Sequence, residues 1–437
     1  TMTTKLSRRR FLELSGGLGM LAGLGRLAFS TSAAAANDYK ALVCLFMFGG
    51  NDGHNTVVPL DAAQYGAYQN ARQGLRLAQN QLLPISDANQ GQFGFHYSMI
   101  DMQQLYNQGH MAVLANVGTL FQPTTYAQSI TPGFRLPSQL RSHSDQVTQM
   151  QTGQPDTSIA SGWGGRCVDQ MQNLYNYNSG SNFPASISMN SPALFCTGDF
   201  VAGTSSQPGN FLGQNAMGLW PATASTARKN AQNSIITAAS GNAMIDAANR
   251  SLATAAALNP ILASAANTVN FNKAFPSTSI GNQLKEIARL ISLNAQLGLG
   301  RQVFFCSLGA FDTHSGQGYQ QQENLLEVSQ ALGAFYAATQ QLGLDQQVTT
   351  FTLSDFGRTL QPSGSGSDHG WGNHHLIMGG AVNGKKMYGR YPLMTNYTNF
   401  NSSADDYADQ RGVMLPSTSL AQYGATLAKW FGRSEEH

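Results

Sequence analysis

After Lys40, eight apolar residues run without interruption to Phe48, where Gly49-Gly50 stops them. A run apolar at every position cannot lie at a surface. It reads as a central strand covered on both faces, as parallel sheets require. Similar runs occur at 111–117, 303–308 and 347–353, and a shorter one at 376–378 ends in Gly379-Gly380. Helical patterns separate them at 99–108, 163–175, 235–297 (broken at Asn259-Pro260), 323–342 and 420–431. Strands alternating with helices predict an α/β protein with a mostly parallel central sheet flanked by helices. Residues 179–241 are rich in Ser, Gly, Asn, Thr and Pro and read as an irregular polar insertion or cap.

The N-terminus reads differently. Ser7-Arg8-Arg9-Arg10-Phe11-Leu12 matches a twin-arginine export signal, followed by a mildly apolar Gly/Leu/Ala stretch and Ala33-Ala34-Ala35-Ala36 as a cleavage site. Residues 1–36 are therefore expected to be a signal peptide, and 37–437 one folded domain. The expected destination is the periplasm or the outside of the cell, with the twin-arginine translocase as the partner during export. Taking Lys5, Arg8, Arg9, Arg10, Arg26 and Glu13 away from 25 basic and 23 acidic residues leaves 20 and 22. A near-neutral mature chain offers no electrostatic footprint for nucleic acid. Charged residues make up only 11% while 42% are hydrophobic, which fits a folded protein kept soluble by neutral polar groups.

Of four cysteines, Cys44 and Cys306 lie inside strand runs and read as buried thiols. Cys167 and Cys196 are candidates for a disulfide in an oxidising compartment. No Cys-x-x-Cys pattern occurs, which argues against a thiolate zinc site.

In wound α/β sheets, ligands bind beyond the carboxyl ends of the strands. Here those ends deliver Asn51, Asp52 and His54, then Asp312 and His314, then Asp355 and Arg358. The later loop supplies Asp368, His369, His374 and His375. Five of the nine histidines fall in these segments. Asp and Asn also decorate ordinary turns. Aspartates and histidines recurring at successive strand ends are, however, what a divalent metal site needs.

The ordered blocks 48–52, 141–143, 162–166, 311–314, 354–358 and 368–370 together resemble the exported family called domain of unknown function 1501. That family is grouped with the alkaline-phosphatase-like superfamily of phosphatases, sulfatases and phosphoglycerate mutases. The resemblance implies an alkaline-phosphatase-like fold. It implies Asp52, Asp312, His314, Asp355 and His369 as metal ligands, with Zn, Ca, Mg or Mn as the ion. It implies Ser142 as the nucleophile, at a helix start that would also suit it as an N-cap. Arg141, Arg166 and Arg358 are candidates for oxyanion contact. Asn51, His143, Asp368 and His374 are candidates for a further ligand or for a group that orients one, as is Arg166. Superfamily phosphatases carry Asp-His where this chain has Asp355-Phe356, and phenylalanine cannot ligate, so a single-metal site is implied. The implied activity is hydrolysis of a small-molecule or glycan-borne phosphate or sulfate ester. The alternative is a non-catalytic, surface-associated binding or assembly protein that keeps the fold.

Overall fold

The apolar runs form strands in the computed structural model. The structure describes residues 38–432 apart from 176–177, 179–180, 182, 209–224, 239, 243, 247, 250–252, 254–268 and 399. The expected signal peptide, residues 1–36, lies outside the described residues. The chain runs through β1 (Lys40–Met47), β2 (Val57–Pro59), β3 (Leu83–Asp87), β4 (Gly91–Phe95) and β5 (Met111–Gly118). It continues with β6 (Ser186–Met189), β7 (Thr204–Ser206), β8 (Arg301–Leu308) and β9 (Val348–Ser354). It ends with β10 (Arg358–Ser363), β11 (Gly366–His369), β12 (Asn373–Met378), β13 (Met387–Gly389) and β14 (Thr418–Ser419).

The main sheet has the order β13-β5-β12-β9-β1-β8-β6-β7, with β14 also paired to β5. β1 pairs in parallel with β8 on one side and β9 on the other. Its side chains alternate between two cores, as the twofold period of a strand dictates. Ala41, Val43, Leu45 and Met47 join a cluster with the helices Ser279–Ser292 and Gln317–Gln341. Leu42, Cys44 and Phe46 join another with the helices Trp163–Tyr175 and Leu420–Phe431. Burial of each large side chain such as Leu45 or Phe46 stabilises the fold by on the order of 2 kcal/mol.

The sheet is mostly parallel with one reversal, since β12 runs antiparallel to both β5 and β9. The physical reason is the connection. β9 leads through the β10–β11 hairpin straight into β12, with no crossover helix to return the chain to the other end. The segment read as an irregular insertion also contributes regular structure. β6 pairs with β8 and β7 extends the edge, because Ser186–Met189 is buried at every position and Ile187 enters the core. Ser225–Thr237 is helical.

Cys44 and Cys306 are buried, as expected. Cys196 is a buried free thiol, pushed up to about 12 by burial, in the same apolar cluster as Cys167. The disulfide suggested by the sequence is therefore not made. No described helix is long and apolar enough to cross a membrane.

Candidate metal centre

The register of the central strands fixes the site. Met47 lies opposite both Leu308 and Ser354, so the loops after β1, β8 and β9 emerge at one edge. Gly49 and Gly50 let those loops close on one another. Gly49 has φ 113, and a Cβ there would strike the backbone of Phe311 and Asp312. Gly50 has φ 85, and a Cβ there would strike the ring of Phe356. Only glycine suits both the left-handed backbone and the contact. The β10–β11 hairpin brings in Arg358 and His369, and the helix His143–Thr152 brings His143 at its first turn.

The described ligand-type side chains that gather into one group are His143, Asp312 and His369, with ligand atoms within 4.8 Å of one another. The Nε2 atoms of His143 and His369 are 3.1 Å apart. His314 adds a third imidazole, with its Nε2 2.9 Å from Nε2 of His369 and 3.1 Å from Oδ1 of Asp312. Asp312 also lies 3.5 Å from Nε2 of His143 and 3.4 Å from Nε2 of His369. Ligand atoms about 2.0–2.1 Å from a tetrahedral ion are separated from one another by about 3.3 Å. The observed spacings match such an edge.

The other ring nitrogens explain why these point inward. His143 presents Nδ1 to Oδ2 of Asp355 at 2.7 Å, and His369 presents Nδ1 to the carbonyl of Arg141 at 2.8 Å. Both partners only accept, so Nδ1 carries a proton and each ring turns its Nε2 toward the other. Lone pairs this close require positive charge among them, from a proton or a cation. Arg141 has φ 73, a left-handed conformation uncommon for a side-chain-bearing residue. Phe356 packs its ring against His143 and His369, at centroid distances of 4.8 and 4.7 Å. The residue that cannot ligate thus walls the site and holds two rings that can.

The electrostatics follow. The hydrogen bond that His143 donates to Asp355, together with the charge of Asp355, raises the proton affinity of His143 against the cost of burial. Burial lowers that of His369. Burial would raise Asp312, but the hydrogen bond and charge of Arg358 outweigh it and hold the carboxyl below its usual range. Asp312 and His314 are each 46% exposed, so the site keeps an open side.

Several expected residues lie elsewhere. Asp52 is not in the group. It caps the short helix Gly53–Thr56, its Oδ1 accepts from the His54 amide, and its Oδ2 takes Arg72 and Gln317. Asp355 is one step back from the group, spending Oδ1 on the Gly49 amide and Oδ2 on His143. Asn51 is buried, bonded to Ser354 and Thr56. His374 accepts from the Asn116 amide and stacks on Tyr391, while His375 stacks on Tyr423. Burial holds both imidazoles neutral.

The arginines separate by partner. Arg358 is fully buried and donates to the carbonyls of Gly49, Gly50, Phe311 and Ser367 and to Asp312. It ties the strand ends together and has little left for a substrate. Arg166 donates to the carbonyls of Ser161 and Thr152. Arg141 pairs with Asp409 at 2.8 Å. Ser142 makes no side-chain cap bond, and its hydroxyl donates to Asp145 at 2.7 Å. Asp368 faces His314 Nδ1 at 3.5 Å rather than His369. Asp145, Asp409 and Arg411 surround these groups, although no sequence motif marks them. Asp409 and Arg411 stand in a loop with no motif, and only the fold carries that loop to the site.

No curated protein matches the sequence of this chain. Among solved structures, it resembles the C-terminal periplasmic domain of EcEptC from Escherichia coli in complex with Zn. That match has 9% identity and a TM-score of 0.38, covering 92% of this chain and 84% of the other. The lipoteichoic acid synthase LtaP from Listeria monocytogenes matches at 6% identity and 0.36, covering 92% and 74%. PsFucS1 sulfatase from Pseudoalteromonas sp. matches at 11% and 0.32, covering 89% and 78%. Superpositions this loose assign neither activity nor ligand. The family model described as "Protein of unknown function (DUF1501)" matches residues 39–403, most of the chain, and the chain belongs to that family.

Proposed function

We propose that this protein is an exported, metal-dependent hydrolase of phosphate or sulfate esters. The observation that carries the reading is the convergence of His143 Nε2, His369 Nε2 and Asp312, flanked by His314, with Nδ1 of His143 and His369 tied to acceptors. Imidazole-rich sets with one carboxylate suit zinc better than calcium or magnesium, which prefer all-oxygen shells. Bound there, a divalent cation supplies Lewis-acid charge to a transferring oxyanion.

The chain's own groups supply the rest. Ser142 directly precedes the ligand His143, and its hydroxyl already donates to Asp145. In the proposed step the Ser142 oxygen bonds to phosphorus or sulfur while its proton passes to Asp145. The bond to the ester oxygen breaks, and the leaving alcohol takes that proton. Water then cleaves the seryl ester and restores Ser142. The leader supports export to the periplasm or beyond.

The test combines metal content of the purified mature protein with hydrolysis of aryl phosphates and aryl sulfates. Asp312→Asn is expected to lose metal and activity, and Ser142→Ala to lose activity alone. A mature protein that takes up no divalent metal and hydrolyses neither ester class refutes the proposal. A second reading, a surface-associated binding or assembly protein, is favoured by one observation. Arg358 and Arg166, two of the expected oxyanion contacts, are engaged by backbone carbonyls. Retained partner or glycan binding in Asp312→Asn would support it.

A further inference from the structure

Resting on the hydrolase reading, we infer that Arg411 is the oxyanion-binding arginine of this site. The expected candidates are held more tightly by partners within the protein. Arg358 is buried among carbonyls, Arg166 is tied to Ser161 and Thr152, and Arg141 is bonded to Asp409. Arg411 is different. Its side chain is 45% exposed, and it reaches Asp368 at 3.3 Å and Asp409 only at 3.7 Å. The second distance is too long for a hydrogen bond. A guanidinium with five donors and such loose partners keeps donors for a ligand.

Its position is built rather than incidental. The turn at 409–412 is pinned to β10, because Gln361 donates to the Arg411 carbonyl and Leu360 to that of Gly412. Asp409 Oδ1 accepts from the Arg411 amide at 2.9 Å. The backbone is thus fixed, while the side chain is held only by Asp368 and, at longer range, Asp409. Asp368 links Arg411 to the cluster, since its other oxygen faces Nδ1 of His314. Through Asp368 the guanidinium therefore stands two contacts from the His314 ring, whose Nε2 faces Asp312.

The energetics permit exchange. Exposed ion pairs such as Arg411–Asp368 are weak, because water screens both charges and competes for them. A tetrahedral oxyanion offers the planar guanidinium a stronger, bidentate partner. Asp368 is not stranded when Arg411 turns away, because His314 remains beside it. The ligand class is a phosphate or sulfate oxyanion.

The experiment is calorimetric titration of the full mature protein with inorganic phosphate and, separately, with sulfate, before and after zinc loading. Metal content is measured independently. Arg411→Gln is expected to lower oxyanion affinity about tenfold with zinc uptake unchanged. Arg411→Lys should recover only part of the loss. Arg135→Gln, at an exposed arginine paired with Asp156, is expected to bind as wild type does. Tighter binding of one anion tells phosphate from sulfate. Equal affinity in wild type and Arg411→Gln, or no binding of either anion by wild type, overturns the assignment. Failure of zinc uptake refutes the metal reading instead, and the titrations without zinc then still test Arg411 by the same comparison.

Discussion

Nδ1 of His143 lies 2.7 Å from Oδ2 of Asp355, the buried carboxylate that follows β9. A residue at a helix start and one at a strand end, 212 positions apart, form a single unit. The carboxylate fixes the tautomer and angle of the ring, and the ring turns its other nitrogen toward Asp312 and His369.

Asp355→Asn is expected to weaken zinc affinity roughly 10–100-fold without unfolding the protein, because groups that orient a ligand histidine carry such a share. Competition against a chromophoric chelator measures it. Unchanged affinity would show that His143 needs no such support.

Gly49→Ala places a Cβ against the Asp312 backbone in a left-handed conformation. The expected cost is on the order of 1–3 kcal/mol in denaturant unfolding, with reduced zinc uptake because Asp312 is displaced. A variant as stable as wild type would mean that the loops can part at no cost.

Arg358→Gln leaves strand-end carbonyls and Asp312 without their shared donor. About 3–5 kcal/mol of stability should be lost. Urea unfolding of the variant beside Arg411→Gln separates the two arginines, since the exposed one is expected to change stability by less than about 1 kcal/mol.

Stability should fall in mild acid. Burial lowers His54 and His375 to about 3, and His374 well below its usual 6.5. Unfolded, each takes a proton near pH 6.5, whereas folded it does not. The unfolded state therefore binds more protons between about pH 6.5 and 3. Their contribution is fully present above pH 6.5 and is lost as pH falls, by up to about 1.4 kcal/mol per pH unit for each residue. Both ring nitrogens of His375 lack a hydrogen-bond partner among the described residues. His375→Leu should therefore flatten the slope between pH 6.5 and 4.5 in urea titrations. An unchanged slope would assign the acid sensitivity elsewhere.

Much of this was legible along the chain. The apolar runs located the central strands, and the helices at 163–175 and 420–431 have the expected bounds. Within the polar insertion, the strands at 186–189 and 204–206 leave little mark in the hydrophobic pattern because they are short and rich in serine, so their burial comes from neighbours and not from their own composition. The reversal of β12 was hidden because hydrophobic pattern reports burial and says nothing of direction.

At the site, the sequence by itself determined which side chains would stand at the sheet's carboxyl edge. Asp312, His314, Asp355 and His369 follow from local punctuation, in which a strand ends, a glycine or polar turn begins, and the next residues face the crevice. Tertiary structure alone decided what each does. His143 joins Asp312 and His369, Asp355 stands behind His143, and Asp52 turns to Arg72 and Gln317. Ligation requires atoms placed to within tenths of an ångström. That placement is set by Phe356 packing on two imidazoles and by Arg358 binding three loops, contacts between segments far apart in the chain.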